Sequence, residues 1–115
     1  MTKETNKTET LPGGITTTQL NQWKAKHGAV SQVKVPLNDE ETEYVYCYFK
    51  KPTLDIIGAA AKFAETDPVK SGNILFESCY LGGDAEVKEI DECRMSAMQA
   101  LSSLFKVRAS EIKNL

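Results

Sequence analysis

Two neighbouring stretches of the chain have the patterns of β-strands: apolar and polar residues alternate in the first, and β-forming residues follow one another in the second. The stretch VSQVKVPL begins at Val30, and the stretch EYVYCYFKK begins at Glu43. In the first stretch every second residue from Val33 to Leu37 is apolar, and the second stretch is rich in β-forming residues. Pro36 favours an edge position or an early end for the first strand, because proline cannot donate to a ladder. The polar residues NDEET between the stretches predict a turn, so we expect an antiparallel hairpin.

The second predicted strand has two different faces. Tyr44, Tyr46 and Tyr48 share one face, which we call the tyrosine face. The opposite face consists of Val45, Cys47 and Phe49, and we expect it to pack against the helices. The tyrosine face would then be exposed unless a partner or a second copy covers it, and tyrosine is enriched in interfaces. The alternative, with the tyrosines in the core and Cys47 outside, stays open at this point.

A short helix is predicted before the hairpin, in ITTTQLNQWKAKHGAV. Thr16 and Gln19 have the spacing of a capping box, and Gly28 is placed to end the helix. Leu20 and Trp23 are three residues apart and share one face. Trp23 is expected to pack as an anchor, and it is also a candidate contact residue for a partner.

Three helices are predicted after the hairpin. The first has Thr53 as its N-cap and ends near residue 66. Its expected inward stripe is Leu54, Ile57, Ala61 and Ala64, widened by Ile56, Ala60 and Phe63. The second starts at Asp67 and Pro68, which together give a strong start signal.

The third predicted helix is long and starts after the second helix ends at Gly82 and Gly83. Asp84 is its expected N-cap, and Val87, Ile90, Ala97, Leu101 and Leu104 are its expected inward residues. A closing turn or short helix is expected to place Ile112 and Leu115 on the core.

The elements follow the order α-β-β-α-α-α and predict an α+β fold. It comprises a short N-terminal helix, a two-stranded antiparallel hairpin and three to four helices. One domain is the natural expectation for 115 residues. Residues 1–15 are mostly polar and are expected to be a disordered tail, so the single α+β domain would span residues 16–115.

Composition and charge exclude several function classes. The net charge of −2 provides no basic field for nucleic acid or an anionic membrane. No apolar run approaches the roughly 20 residues that span a bilayer. Cys47, Cys79 and Cys93 have neither zinc-site spacing nor a disulfide pattern, so we expect reduced thiols that pack as small apolar residues. These features predict a soluble cytoplasmic protein with no metal or cofactor.

Three charged positions are candidates for chemistry. Arg94 lies on the apolar stripe of the long helix, where it pairs with Asp91, extends along apolar surface or anchors a partner interface. Lys50 and Lys51 form either a small anion site or a solvated strand end. His27 lies at a helix end with no nucleophile or carboxylate placed to assist it, so no catalytic residue is assigned.

The segments YFKKPT, DPVKSGNILFESCYLGGD and VRASEIKNL, in this order around a long helix, resemble the small tail assembly chaperones of tailed bacteriophages and prophages. The similarity covers residues 30–115. It implies a non-enzymatic protein of the bacterial host cytoplasm that binds the long, helical tape measure protein and forms multimers on it. It brings no agreed set of functional residues, so the candidate partner-binding residues remain Tyr44, Tyr46, Tyr48, Trp23 and Arg94. Alternatives are a minor structural tail component, a generic protein-binding adaptor and a small enzyme using His27.

Overall fold

The computed structural model describes residues 9–103 and 111–115. In chain order the elements are β1 (Thr10–Leu11), β2 (Ile15–Thr16), α1 (Thr17–His27), β3 (Val30–Pro36), β4 (Tyr44–Lys50), α2 (Leu54–Ala61), α3 (Pro68–Cys79), β5 (Tyr80–Gly83), α4 (Glu86–Glu89) and α5 (Asp91–Ser103). The α+β class is confirmed. The predicted order α-β-β-α-α-α is incomplete, because it lacks β1, β2 and β5 and joins α4 to α5.

The main sheet has three antiparallel strands in the order β3-β4-β5. Cys47 in the central strand β4 pairs with Val33 on one side and with Gly83 on the other. The predicted hairpin of β3 and β4 is therefore confirmed, but a third strand was missed. Gly82 and Gly83 do not end a helix, since α3 already ends at Cys79.

Position 83 of β5 requires glycine because the backbones of β4 and β5 come unusually close there. A Cβ at Gly83 would meet the Tyr46 carbonyl oxygen and the Cα of Cys47. Its φ of 146° is also one that side chains disfavour. Only glycine fits this position without moving β4.

The core lies on one face of the main sheet, beneath α3, α4 and α5. The expectation for Val45, Cys47 and Phe49 is confirmed, because all three are buried. The Phe49 ring meets the Phe76 ring edge-on at 5.4 Å between centroids. Fully burying such a side chain contributes about 1.5–3 kcal/mol, so this face stabilises the fold.

Most of the predicted helix caps are confirmed. Thr16 and Gln19 form the full capping box of α1. The side chains of Thr53 and Asp67 accept hydrogen bonds from the Ile56 and Lys70 amides, at the starts of α2 and α3. Asp84 was expected to cap the long helix, but its Oδ2 accepts the N–H of Tyr46 at 2.9 Å. The side chain therefore joins two segments of the sheet.

The predicted inward stripe of α2 is wrong for Leu54, Ile57, Ala61 and Ala64, but it is correct for Ala60, one of the residues expected to widen it. Leu54 is 84% exposed, and Ile57 is also exposed. The helix is instead attached by its other side, where Ala60 is buried and its carbonyl accepts a 2.8 Å hydrogen bond from the Ser71 hydroxyl. The sequence LDIIGAAA is apolar on nearly every side, so its periodicity could not identify the buried face.

Two predictions near the C-terminus are also wrong. The long helix is interrupted at Ile90, whose extended backbone separates α4 from α5 and whose side chain is exposed rather than inward. Ile112 and Leu115 are fully or almost fully exposed. Leu104 and the rest of the predicted helix end lie outside the described residues.

The predicted N-terminal tail is wrong from residue 9 onward, and residues 1–8 lie outside the described part of the chain. β1 and β2 form a small antiparallel hairpin. Its tip has the pattern of a type II turn, with Pro12 followed by Gly13 at φ 84° and the Gly14 N–H donating to the Leu11 carbonyl. The dipeptide Pro-Gly is a local turn signal, which the polar composition of the segment does not show.

Candidate protein-binding surfaces

The tyrosine face is divided between a covered part and an open part. Tyr48 is 2% exposed, whereas Tyr44 and Tyr46 are half-buried. The Tyr48 hydroxyl accepts a hydrogen bond from Gln32 and donates one to the Pro12 carbonyl, both at 2.8 Å. The N-terminal hairpin of the same chain therefore covers Tyr48.

Trp23 lies over the same part of the face. Its ring is 5.9 Å from the Tyr48 ring, between centroids. It also fits against Gly82, where an added Cβ would lie 3.1 Å from the Trp23 ring and 3.3 Å from Ile15. Trp23 thus packs within its own chain, as an anchor does, and is half-buried.

Tyr44 and Tyr46 form the open part of the tyrosine face. The Lys34 ammonium lies 3.9 Å from the centre of the Tyr44 ring, which is a cation–π arrangement. The Tyr46 backbone is bonded to Asp84 through both its N–H and its carbonyl. The two rings remain candidate contacts, but they form a smaller surface than three exposed tyrosines would.

Arg94 is held by groups of its own chain rather than by Asp91. Its Nε and Nη2 donate to Asn73 Oδ1 at 3.0 and 2.9 Å, and Nη2 lies 3.5 Å from a Glu77 carboxylate oxygen. The guanidinium also lies 4.3 Å from the Phe76 ring centre. Arg94 therefore joins α5 to α3, and its position in the apolar stripe is explained without a partner.

A more exposed apolar surface lies on α2. We define the α2 surface as Leu54, Ile57 and Ala61, which are all exposed. Their spacing of three and four residues places them on one side of the helix. The stripe itself was visible in the sequence, but it was assigned to the core.

A groove of about 710 Å³ lies between α3 and α5. Its apolar lining includes Pro68, Met95 and Met98, and Gly72 allows the Met98 side chain to approach α3 closely. Met95 is 51% exposed at this groove. The groove is therefore an open apolar concavity at the edge of the core, to which Met98 belongs.

Among the described residues, the three cysteine thiols and His27 have shifted pKa values. Burial raises the pKa of Cys47 to about 12 and also raises the pKa values of Cys79 and Cys93, which disfavours reactive thiolates. Partial desolvation, with Lys50 and Lys26 nearby, lowers the pKa of His27. Within residues 9–103 and 111–115, no group of three or more His, Cys, Asp and Glu side chains could hold a metal ion.

The chain is similar in fold to an uncharacterised protein from Bacillus stearothermophilus. The two share 18% sequence identity with a TM-score of 0.56, over 82% of this chain and 99% of the other. At this identity the similarity concerns the fold alone. No known family model matches the sequence, and neither does any curated protein. Among the described helices, none has the length and apolar character required to cross a bilayer.

Proposed function

We propose that this protein is a non-enzymatic, protein-binding chaperone of the tail assembly type, and that its client is the long, helical tape measure protein. The observation that carries the proposal is the α2 surface, where Leu54 is 84% and Ile57 37% exposed on one side of a helix. The sequence resemblance supplies the class of client. The host cytoplasm is the corresponding location.

The shape of the α2 surface suits a helical client. α2 has eight residues and is therefore about 12 Å long, which is two helical turns. Gly58 and Ala61 are small residues beside Leu54 and Ile57. The helix surface is therefore low at these positions, and the backbone of a partner helix can come close. An amphipathic client helix would place apolar residues there with a spacing of three or four.

The proposal is tested by co-expressing the full chain with the tape measure protein and measuring the mass of the soluble species by light-scattering chromatography. We expect a complex that contains both proteins. The variant Leu54→Gln/Ile57→Gln should reduce client recovery roughly tenfold or more, because buried apolar anchors contribute most of the binding free energy.

Ile90→Gln is the matched control, because Ile90 is 38% exposed and Ile57 is 37% exposed. It should leave the complex intact, and neither variant should change the free energy of unfolding by more than about 0.5 kcal/mol.

Tyr44→Ala and Tyr46→Ala test the open tyrosines as a rival surface. A wild-type chain that leaves the client insoluble contradicts the chaperone role. Full recovery with the α2 variant contradicts the assignment of the surface.

A further inference from the structure

We propose that residues 9–27, comprising β1, β2 and α1, form a detachable cover of the tyrosine face. In this proposal the cover undocks as a unit while β3 to α5 stay folded, and undocking uncovers Tyr48, Gly82 and the Trp23 ring. The proposal does not depend on the chaperone role.

The cover is attached by little buried surface. Ile15 is the one buried residue between Glu9 and His27, and α1 has none. By contrast, α3 contributes Leu75, Phe76 and Cys79 to the core. Segments with few buried apolar groups open at a lower free energy than the core does.

The surface beneath the cover fits the side chains of the cover, but the structure of this surface does not depend on the cover. The glycine at position 82 leaves a shallow slot for the side chains of Ile15 and Trp23. The ladder from β3 through β4 to β5 and the core on the opposite face both lie outside the cover. Removing the cover therefore exposes Tyr48 but breaks no pairing in the main sheet.

We expect the cover to lose its own structure once it leaves the sheet. α1 has 11 residues, and isolated helices of this length are marginal in water. β1 and β2 have two residues each, and an isolated two-stranded hairpin is likewise marginal. Undocking should therefore release the hydrogen bonds of the whole cover, including Gly14 N–H to Leu11 and Thr17 N–H to Glu9.

Native-state hydrogen exchange on the full chain, followed by NMR, tests the proposal. We expect amides of the cover to exchange faster than those of β4, with a weaker dependence on urea. Val87→Ala truncates a fully buried core side chain outside the cover. It should accelerate exchange in β4 tenfold or more and leave exchange in the cover unchanged. An equal acceleration of both would overturn the proposal, because it would show one cooperative unit.

A second pair of variants separates undocking from fraying of α1 alone. Tyr48→Phe removes the hydroxyl that binds the Pro12 carbonyl and should accelerate exchange of the Gly14 and Thr17 amides roughly 2- to 12-fold. Tyr44→Phe is its control on the same strand and face, and it should have no effect there. Equal rates in the two variants would overturn the proposal. Trp23 is the only tryptophan, so its fluorescence at low urea reports the same event independently.

Discussion

At the scale of single residues, Arg94 shows how a charge is accommodated beside an apolar core. Its side chain is 23% exposed, so the guanidinium is partly removed from water. Asn73 replaces the lost hydration by accepting two hydrogen bonds at one oxygen, and the guanidinium carbon lies over the Phe76 ring. Glu77 is further away and 51% exposed, so its ion pair should be weak.

We therefore expect Asn73 to matter more than Glu77 for stability. Asn73→Ala leaves two donors of a partly buried charge without their acceptor and should lower the free energy of unfolding by about 1–3 kcal/mol. Glu77→Ala removes an exposed pair and should cost about 0.5 kcal/mol or less. Urea unfolding of both variants measures the difference. A larger loss for Glu77→Ala would mean that the ion pair, not the amide, neutralises Arg94.

At the scale of elements, the edge strand β5 depends on contacts from distant parts of the sequence. Tyr46 in β4 donates its N–H to the Asp84 carboxylate and accepts the Asp84 N–H at 2.8 Å. Asp84 thereby extends the β4–β5 pairing by one residue beyond Gly83. Asp84 follows β5 directly, so its hydrogen bonds stabilise the end of this strand rather than the start of a helix.

Asp84 variants test this assignment. Asp84→Ala leaves the part-buried Tyr46 N–H without its acceptor and should cost about 1–3 kcal/mol of unfolding free energy. Asp84→Asn keeps an acceptor oxygen at the same place and should recover most of that loss. A helix-capping role would be indicated instead if the alanine variant reduced helix content at α4 while amide exchange in β4 stayed unchanged.

The elements also show which features a sequence can reveal. Caps were predicted correctly at Thr16, Thr53 and Asp67 because each bond joins residues three apart, and local spacing determines it. β5 was missed because the need for Gly83 arises from the backbone of β4, which is far away in sequence.

The surroundings of the tyrosine face were harder to predict than the caps, for a similar reason. The tyrosine face was identified from its alternation, but nothing local indicated that Pro12 and Trp23 would cover Tyr48. The exposed side of α2 was assigned to the core because hydrophobicity alone does not show which face of an apolar helix meets a neighbour.

At the scale of the whole molecule, the core contains Cys47, Cys79 and Cys93 as free, buried thiols. Desolvation is the main cause that raises the pKa of each of them and of Tyr80. All four groups thus resist ionisation in the folded chain. The folded state should be penalised at alkaline pH relative to the unfolded chain, in which the same groups ionise in water.

The pH dependence of unfolding follows from the sign of the Cys47 shift. Its pKa rises from 9.0 to about 12 on folding, so above pH 9 the unfolded chain loses a proton that the folded chain keeps. The free energy of unfolding should be level below pH 9 and then fall, by about 1.4 kcal/mol per pH unit from this one thiol, until the folded thiol ionises near pH 12. Urea unfolding between pH 7 and 10.5 measures this fall.

Cys47→Ala should start from a lower free energy of unfolding but lose less of it over the same pH interval, because the variant has no thiol that ionises at this position. If the variant and the wild type fall in parallel, Cys47 does not carry the alkaline sensitivity.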